Sequence, residues 1–462
     1  MNSIPSARPS LRPIPLLAAP IPDAAVAIVP RRQLHRNRPI DPLRRRPLKI
    51  DRSPACEGRV KTYNMQELDV HLGGKRPIGY IYWPLPEDDP GVAVRRESIR
   101  VVAPDGGLSR GVMWTPPSGK WKTAVILTHP RADFSVHYAC PLLAAAGYAV
   151  CGFGTRYMNN DTDCVHEAAA LDVAAVADEM KRRGAEAVVL LGNSGGGSLS
   201  ALAHVEHGVG DGWVGVAAHP GEGVFMAHVI DPSVDDENDP FSVVDELDMY
   251  NPENGWRPWP QPCTYDRAWL ATYRAAQVAR VARLDAIANE SIAFAQDGRD
   301  RAKRIDRAID PASWRRWQSR AVWSKYMVIY RTLADPAYLD LSIEPDDRPL
   351  GSLFAHPDPF EANYRRNGLA RTLTARGWLS TWSALSSKAR LADTMPKVLV
   401  PTLLVHPTAD TEIRPSEAKR IVDNAGAADK TLVEMKGAPH YLEGHRQAAM
   451  ATVSEWLSTR FP

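Results

Sequence analysis

Along most of this chain, short apolar runs of strand length alternate with longer stretches in which apolar residues recur at helical spacing. The pattern becomes regular near residue 95. Positions 98–103, a turn at Pro104-Asp105-Gly106-Gly107 and positions 108–114 predict a β-hairpin, its loop marked by Asp-Gly. Residues 123–128 form a continuous apolar strand, 136–146 a helix ended by Gly147, and 148–153 another buried strand. An amphipathic helix follows over 164–183, with Leu171, Val173, Val176 and Met180 on its apolar stripe and Gly184 closing it. Further strands are predicted at 187–191, 213–218, 402–405 and 430–435, with helices over 415–424 and 446–459. Strands alternating with helices imply a mostly parallel sheet covered on both faces.

The most informative stretch is 186–200. Ala187-Val188-Val189-Leu190-Leu191 breaks into Gly192-Asn193-Ser194-Gly195-Gly196 and then into small, helix-tolerant residues. A serine at so sharp a strand-to-helix turn occupies an unfavourable backbone region, and Cβ atoms two residues to either side would collide. Gly192 and Gly196 remove them. Ser194 then stands at the amino end of a helix, where free N–H groups favour developing negative charge, and the Gly195 N–H is the natural first oxyanion donor.

These residues resemble the α/β-hydrolase superfamily over roughly 95–220 and 395–460, on Gly192-Asn193-Ser194-Gly195-Gly196, His129 after the third strand, Asp410 after the penultimate strand and His440 after the last. The resemblance implies an eight-stranded, mostly parallel sheet flanked by helices, and the chain order Ser, Asp, His. In that reading His440 takes the Ser194 proton and Asp410 orients the imidazole and stabilises its cation. Asp231 and Glu412 are rival acids, and His445 is a rival base. The second oxyanion donor is expected in His129-Pro130-Arg131-Ala132-Asp133. Because proline has no N–H, that role falls to the backbone of Arg131, whose guanidinium can also line the pocket.

Length fits an α/β domain with an insertion: of 462 residues, a segment at 221–387 separates a first core part at 65–220 from a second at 388–462. The insertion carries eight of the thirteen tryptophans, Trp256, Trp259, Trp269, Trp314, Trp317, Trp323, Trp378 and Trp382. Helices are expected at 267–296 and 313–333. Most of these aromatics read as the insertion's own core, and the remainder as the underside of a large, mainly helical cap over Ser194 that receives a bulky apolar or aromatic substrate. The loop 251–259 is the candidate pocket rim. The loop 155–161 can add polar contacts, and Arg156 can hold a substrate carboxylate or, as the favoured role, a structural salt bridge.

Residues 1–64 are rich in proline and arginine and read as a disordered extension, compatible with a transit segment or an early-assigned start ahead of Met65. Prolines and Asp23 interrupt the only run resembling a signal peptide. A net charge of +2 makes no case for nucleic acid or a membrane surface as partner. Cys56, Cys140, Cys151, Cys164 and Cys263 lack metal or disulfide spacing and read as buried thiols of a cytoplasmic protein. No metal or organic cofactor is implied. The aromatic insertion leaves a homodimer open.

The expected activity is cleavage of a carboxylic ester or thioester through an acyl-Ser194 intermediate. A C–C bond hydrolase, an acyltransferase and a ligand-binding protein on the same fold are the alternatives.

Overall fold

The computed structural model describes residues 81–352, 358–365 and 368–461. The expected extension at 1–64 and the opening of the first core part lie outside them. The strands are β1 (Arg95–Val102), β2 (Leu108–Thr115), β3 (Thr123–Leu127), β4 (Ala149–Gly154), β5 (Ala187–Asn193), β6 (Gly212–Val216), β7 (Tyr326–Val328), β8 (Thr372–Thr374), β9 (Thr402–Pro407) and β10 (Lys430–Met435). Among the described residues, eight of them form one sheet in the order β1-β2-β4-β3-β5-β6-β9-β10. The β1/β2 hairpin pairs as predicted, β2 runs antiparallel to β4, and from β4 onward neighbours are parallel. The central strands β3, β6 and β9 are buried along their whole length, as a sheet covered on both faces requires.

Helices α1 (Ala139–Ala145), α2 (His166–Arg182) and α3 (Gly195–His207) follow β3, β4 and β5. The apolar stripe read from α2, including Val173, Val176 and Met180, packs with Leu199 and Leu202 of α3 in a core on one face of the sheet. On the other face Leu143 of α1 packs with Val453 and Leu457 from the C-terminal end of the chain.

The insertion lies between β6 and β9, as expected. It opens with α4 (Glu222–Val229) and continues through α5 (Arg267–Lys303) and α6 (Pro311–Val322). Asp266 caps α5 by accepting the N–H groups of Ala268 and Trp269, and Pro311 starts α6 where no amide donor is needed. Helix α5 runs beyond its predicted end at 296. The helix expected over 313–333 is corrected: it ends at Val322, the backbone turns extended at Trp323, and β7 pairs antiparallel with β8. Tyr326-Met327-Val328 suits a half-buried strand, and that pairing overrode the helical spacing. Leu284, Met327, Leu333, Trp378 and Trp382 belong to the insertion's own core, with Trp256 and Trp269 packed against it. Trp314 and Trp317 instead stack under Arg307 and Arg301.

The chain ends with α7 (Pro415–Asn424) and α8 (Arg446–Ser458) around β10. No helix among the described residues is long and apolar enough to cross a membrane.

Candidate active site

Ser194 sits between β5 and α3 with φ 54° and ψ −128°, a conformation that costs of order 1–3 kcal/mol for a residue bearing a Cβ. The glycines leave no choice of residue. A Cβ on Gly192 would stand 2.4 Å from the Gly196 carbonyl oxygen, and one on Gly196 would stand 2.2 Å from that of Thr128. The turn is held from the sheet side as well. The Ser194 N–H donates to the Val216 carbonyl at 3.1 Å, and the Ser194 carbonyl accepts the His219 N–H at 3.0 Å. Beneath it, the buried Asn193 amide donates to Val216 O at 2.7 Å and accepts the Tyr138 hydroxyl at 3.2 Å.

His440 follows β10 and Asp410 follows β9, both buried. The two loops are tied by the Ala409 N–H donating to the Ala438 carbonyl at 3.0 Å. His440 Nε2 lies 3.0 Å from Ser194 Oγ, and His440 Nδ1 lies 2.8 Å from Asp410 Oδ2. The other Asp410 oxygen accepts the N–H groups of Glu412 and Ile413 at 2.7 and 3.1 Å, which fixes the carboxylate plane. Burial by itself disfavours charge on both partners. Their mutual attraction wins, so the Asp410 carboxyl is held below, and the His440 imidazolium above, the ordinary range.

A serine on a positive-φ turn after β5, an acid after β9 and a histidine after β10, in this strand order, are decisive. The chain has the α/β-hydrolase fold.

Solved structures of similar fold include the α/β hydrolase GrgF from Penicillium sp. sh18, at 12% identity, covering 79% of this chain and 98% of that one with a TM-score of 0.44. Est1E from Butyrivibrio proteoclasticus is 13% identical over 78% of this chain and 98% of its own, with a TM-score of 0.40. DcsB in complex with its substrate analogue is 12% identical over 79% of this chain and 99% of its own, with a TM-score of 0.47. No protein-family model matches the sequence, and no curated protein does either.

Two of the three rival residues are engaged elsewhere. Asp231 pairs with the buried Arg331 at 2.6 Å inside the insertion, and His445 Nδ1 faces the Glu443 carbonyl at 3.2 Å. Glu412 does line the cavity over Ser194. Burial pushes its carboxyl up to about 8, so it is protonated at neutral pH.

The Arg131 expectation needs correction. Its backbone N–H, expected to be the second oxyanion donor, donates to His129 Nδ1 at 3.3 Å, and that of Ala132 donates to the same nitrogen at 3.2 Å. The imidazole beside Pro130 folds back over its own loop and takes up the donors. Burial holds His129 neutral, well below its ordinary range. The Arg131 guanidinium does line the cavity. It pairs with Glu222 at 2.9 Å, stands 3.6 Å from Asp161 and stacks on Trp382 at 4.5 Å. Gly195 is the first residue of α3, where amide donors lack intrahelical partners.

Sequence reasoning did not find Tyr82, Glu222 or His219, which line the cavity with Phe225, Leu369 and Tyr441. Glu222 had one readable signal, a carboxylate close after a strand's carboxyl end. The expected rim loop 251–259 packs into the insertion instead, with Trp256 against its core and the Arg257 N–H on Cys263 Sγ. Arg156 is structural, as read, and bridges Asp105 and Asp172. Cys140, Cys151, Cys164 and Cys263 are free and buried. Among the described residues no cluster of three or more His, Cys, Asp or Glu is arranged to hold a metal ion.

Proposed function

We propose that this chain is a serine hydrolase that cleaves a carboxylic ester or thioester through an acyl-Ser194 intermediate. The observation that carries the reading is the continuous contact from Asp410 Oδ2 to His440 Nδ1 and from His440 Nε2 to Ser194 Oγ, on a turn that only a glycine-flanked residue can adopt. Serine is a weak nucleophile at its own pKa, so an adjacent base is what makes it reactive. His440 removes the hydroxyl proton as Oγ attacks the acyl carbon, and the Asp410 carboxylate stabilises the resulting imidazolium. His440 then protonates the leaving alcohol or thiol. Water enters by the same base to release the acid.

The cavity over Ser194 measures about 30 Å³, space for one or two waters. A bulky acyl group therefore requires the cavity to widen, which Phe225 and Leu369 of the insertion must accommodate. These two residues form the apolar wall against which the acyl chain lies, and Arg131 and Glu222 form the polar wall. Hydrolysis of p-nitrophenyl esters from acetate to long-chain and aromatic acyl groups, by wild type and Ser194→Ala in parallel, tests the reading. Activity lost in the variant supports it. A wild type inactive on the whole series contradicts it.

A further inference from the structure

Resting on that reading, we propose that the Tyr82 hydroxyl is the second oxyanion donor of this site, taking the place of the backbone amide that the loop after β3 fails to supply. The need for such a donor follows from that loop. Pro130 has no N–H, and the next two amides are turned onto His129 Nδ1. An oxygen bonded to the acyl carbon on Ser194 would meet the Gly195 amide on one side and requires a donor on another. Tyr82 lines the same cavity as Ser194 and His440. Burial keeps the phenol protonated far above neutral pH, so it is always available as a donor.

Tyr82 is also held in place by contacts on its backbone and its ring. The Arg446 guanidinium, fully buried at the start of α8, donates to the carbonyl of Ile81 at 2.7 Å, to that of Trp83 at 2.9 Å and to Asp88 at 2.9 Å. Its Nε donates to the Tyr441 carbonyl at 2.9 Å. One side chain thus braces the backbone on both sides of Tyr82 and the residue that follows His440. The Tyr82 carbonyl accepts the Tyr138 N–H at 2.8 Å. The ring packs against Phe134 and His137, with centroids 4.8 and 5.3 Å away, and edge-on to Tyr441 at 5.1 Å. A hydroxyl fixed in this way is preorganised, which is the condition under which an oxyanion donor is effective.

The step balances without a further reactant. As the Ser194 Oγ to carbon bond forms, the serine proton passes to His440 Nε2 and the carbonyl π pair moves onto oxygen. That oxygen accepts hydrogen bonds from Gly195 N–H and Tyr82 O–H. When it collapses, the bond to the leaving group breaks and the leaving group takes the proton from His440. The phenol keeps its own proton throughout. Arg446 touches no reacting atom and is a positioning residue.

Tyr82→Phe removes the hydroxyl and keeps the ring. We expect kcat to fall by about 10²-fold, with KM little changed and the same melting temperature, because the donor acts on the oxyanion and not on the bound ester. Affinity for a trifluoromethyl ketone, which forms a tetrahedral adduct on Ser194, should fall by a similar factor. A Tyr82→Phe enzyme within about threefold of wild-type kcat, beside an inactive Ser194→Ala, overturns the role of Tyr82 alone. Activity persisting in Ser194→Ala overturns the underlying serine-hydrolase reading instead. Should the variant fold poorly, a crystal structure of the wild-type ketone adduct decides. Its oxyanion should lie within hydrogen-bonding distance of the Tyr82 hydroxyl, and an oxyanion out of that reach overturns the proposal.

Discussion

Asp410 and Glu412, two residues apart on one loop and both buried, are driven to opposite charge states. Burial opposes ionisation of each. Only Asp410 has a partner that overcomes it, since His440 Nδ1 and two backbone amides converge on its oxygens. Glu412 has the Tyr338 hydroxyl at 3.5 Å, and its carboxyl is pushed up to about 8. The loop therefore presents one carboxylate to the imidazole and one neutral acid to the cavity.

The charge on Asp410 sets the imidazole tautomer. In Asp410→Asn the amide oxygen would keep accepting the N–H groups of Glu412 and Ile413, and the NH₂ would face His440 Nδ1. The ring proton must then move to Nε2, the atom that has to accept from Ser194. By analogy with loss of the acid in serine proteases, kcat should fall by on the order of 10⁴-fold with a small change in KM, measured on the best p-nitrophenyl ester. A loss below about tenfold would mean that Asp410 does not orient the base.

In the proposed mechanism His440 must be neutral to accept the serine proton, and Asp410 favours its charged form, raising its pKa against the effect of burial. Activity should therefore be lost as pH falls through a value above the ordinary 6.5. The acid limb of kcat/KM against pH reads this directly. A limb near 5 would contradict the coupling to Asp410.

Glu412 makes a prediction about stability. Its carboxyl titrates near 4.5 in the unfolded chain and at about 8 in the folded one, so between those values the folded state binds more protons. Stability from this group is full below the lower value and declines as pH rises through the window. Glu412→Gln has no proton to lose there. Its melting temperature relative to wild type should rise between pH 5 and pH 8, and parallel curves would contradict the assignment.

Arg131, partly exposed, and the buried Glu222 form an ion pair at 2.9 Å joining the loop after β3 to the first helix of the insertion. Glu222→Ala leaves the guanidinium with Asp161 at 3.6 Å as its remaining charge partner. Because the guanidinium left behind keeps some exposure, a loss of about 1–3 kcal/mol in urea unfolding is expected. A loss under 1 kcal/mol would show that water or Asp161 replaces the carboxylate.

Much of this was legible in local pattern. Gly192 and Gly196 announce the turn because no Cβ fits there, and the apolar runs of β3, β5 and β9 read as buried strands because both faces of the sheet are covered. Asp410 and His440 were readable from their place just past strand ends. What escaped depends on contacts between distant segments. Tyr82 lies in no periodic element, and contacts with distant residues, Arg446, Tyr138 and Phe134 among them, hold it beside the cavity. The His129 ring captures the Arg131 amide by a rotamer choice that no spacing encodes. Trp314 and Trp317 carried the helical spacing into α6, but beyond Val322 the pairing of β7 with β8 decided the structure.

The most direct measurement is intact-mass and peptide mapping after treatment with a fluorophosphonate, using the wild-type protein and His440→Ala. Stoichiometric phosphonylation of Ser194 in the wild type and little or none in His440→Ala is the predicted result. A wild-type Ser194 left unmodified, or one modified equally fast without His440, would contradict an activated serine at this site.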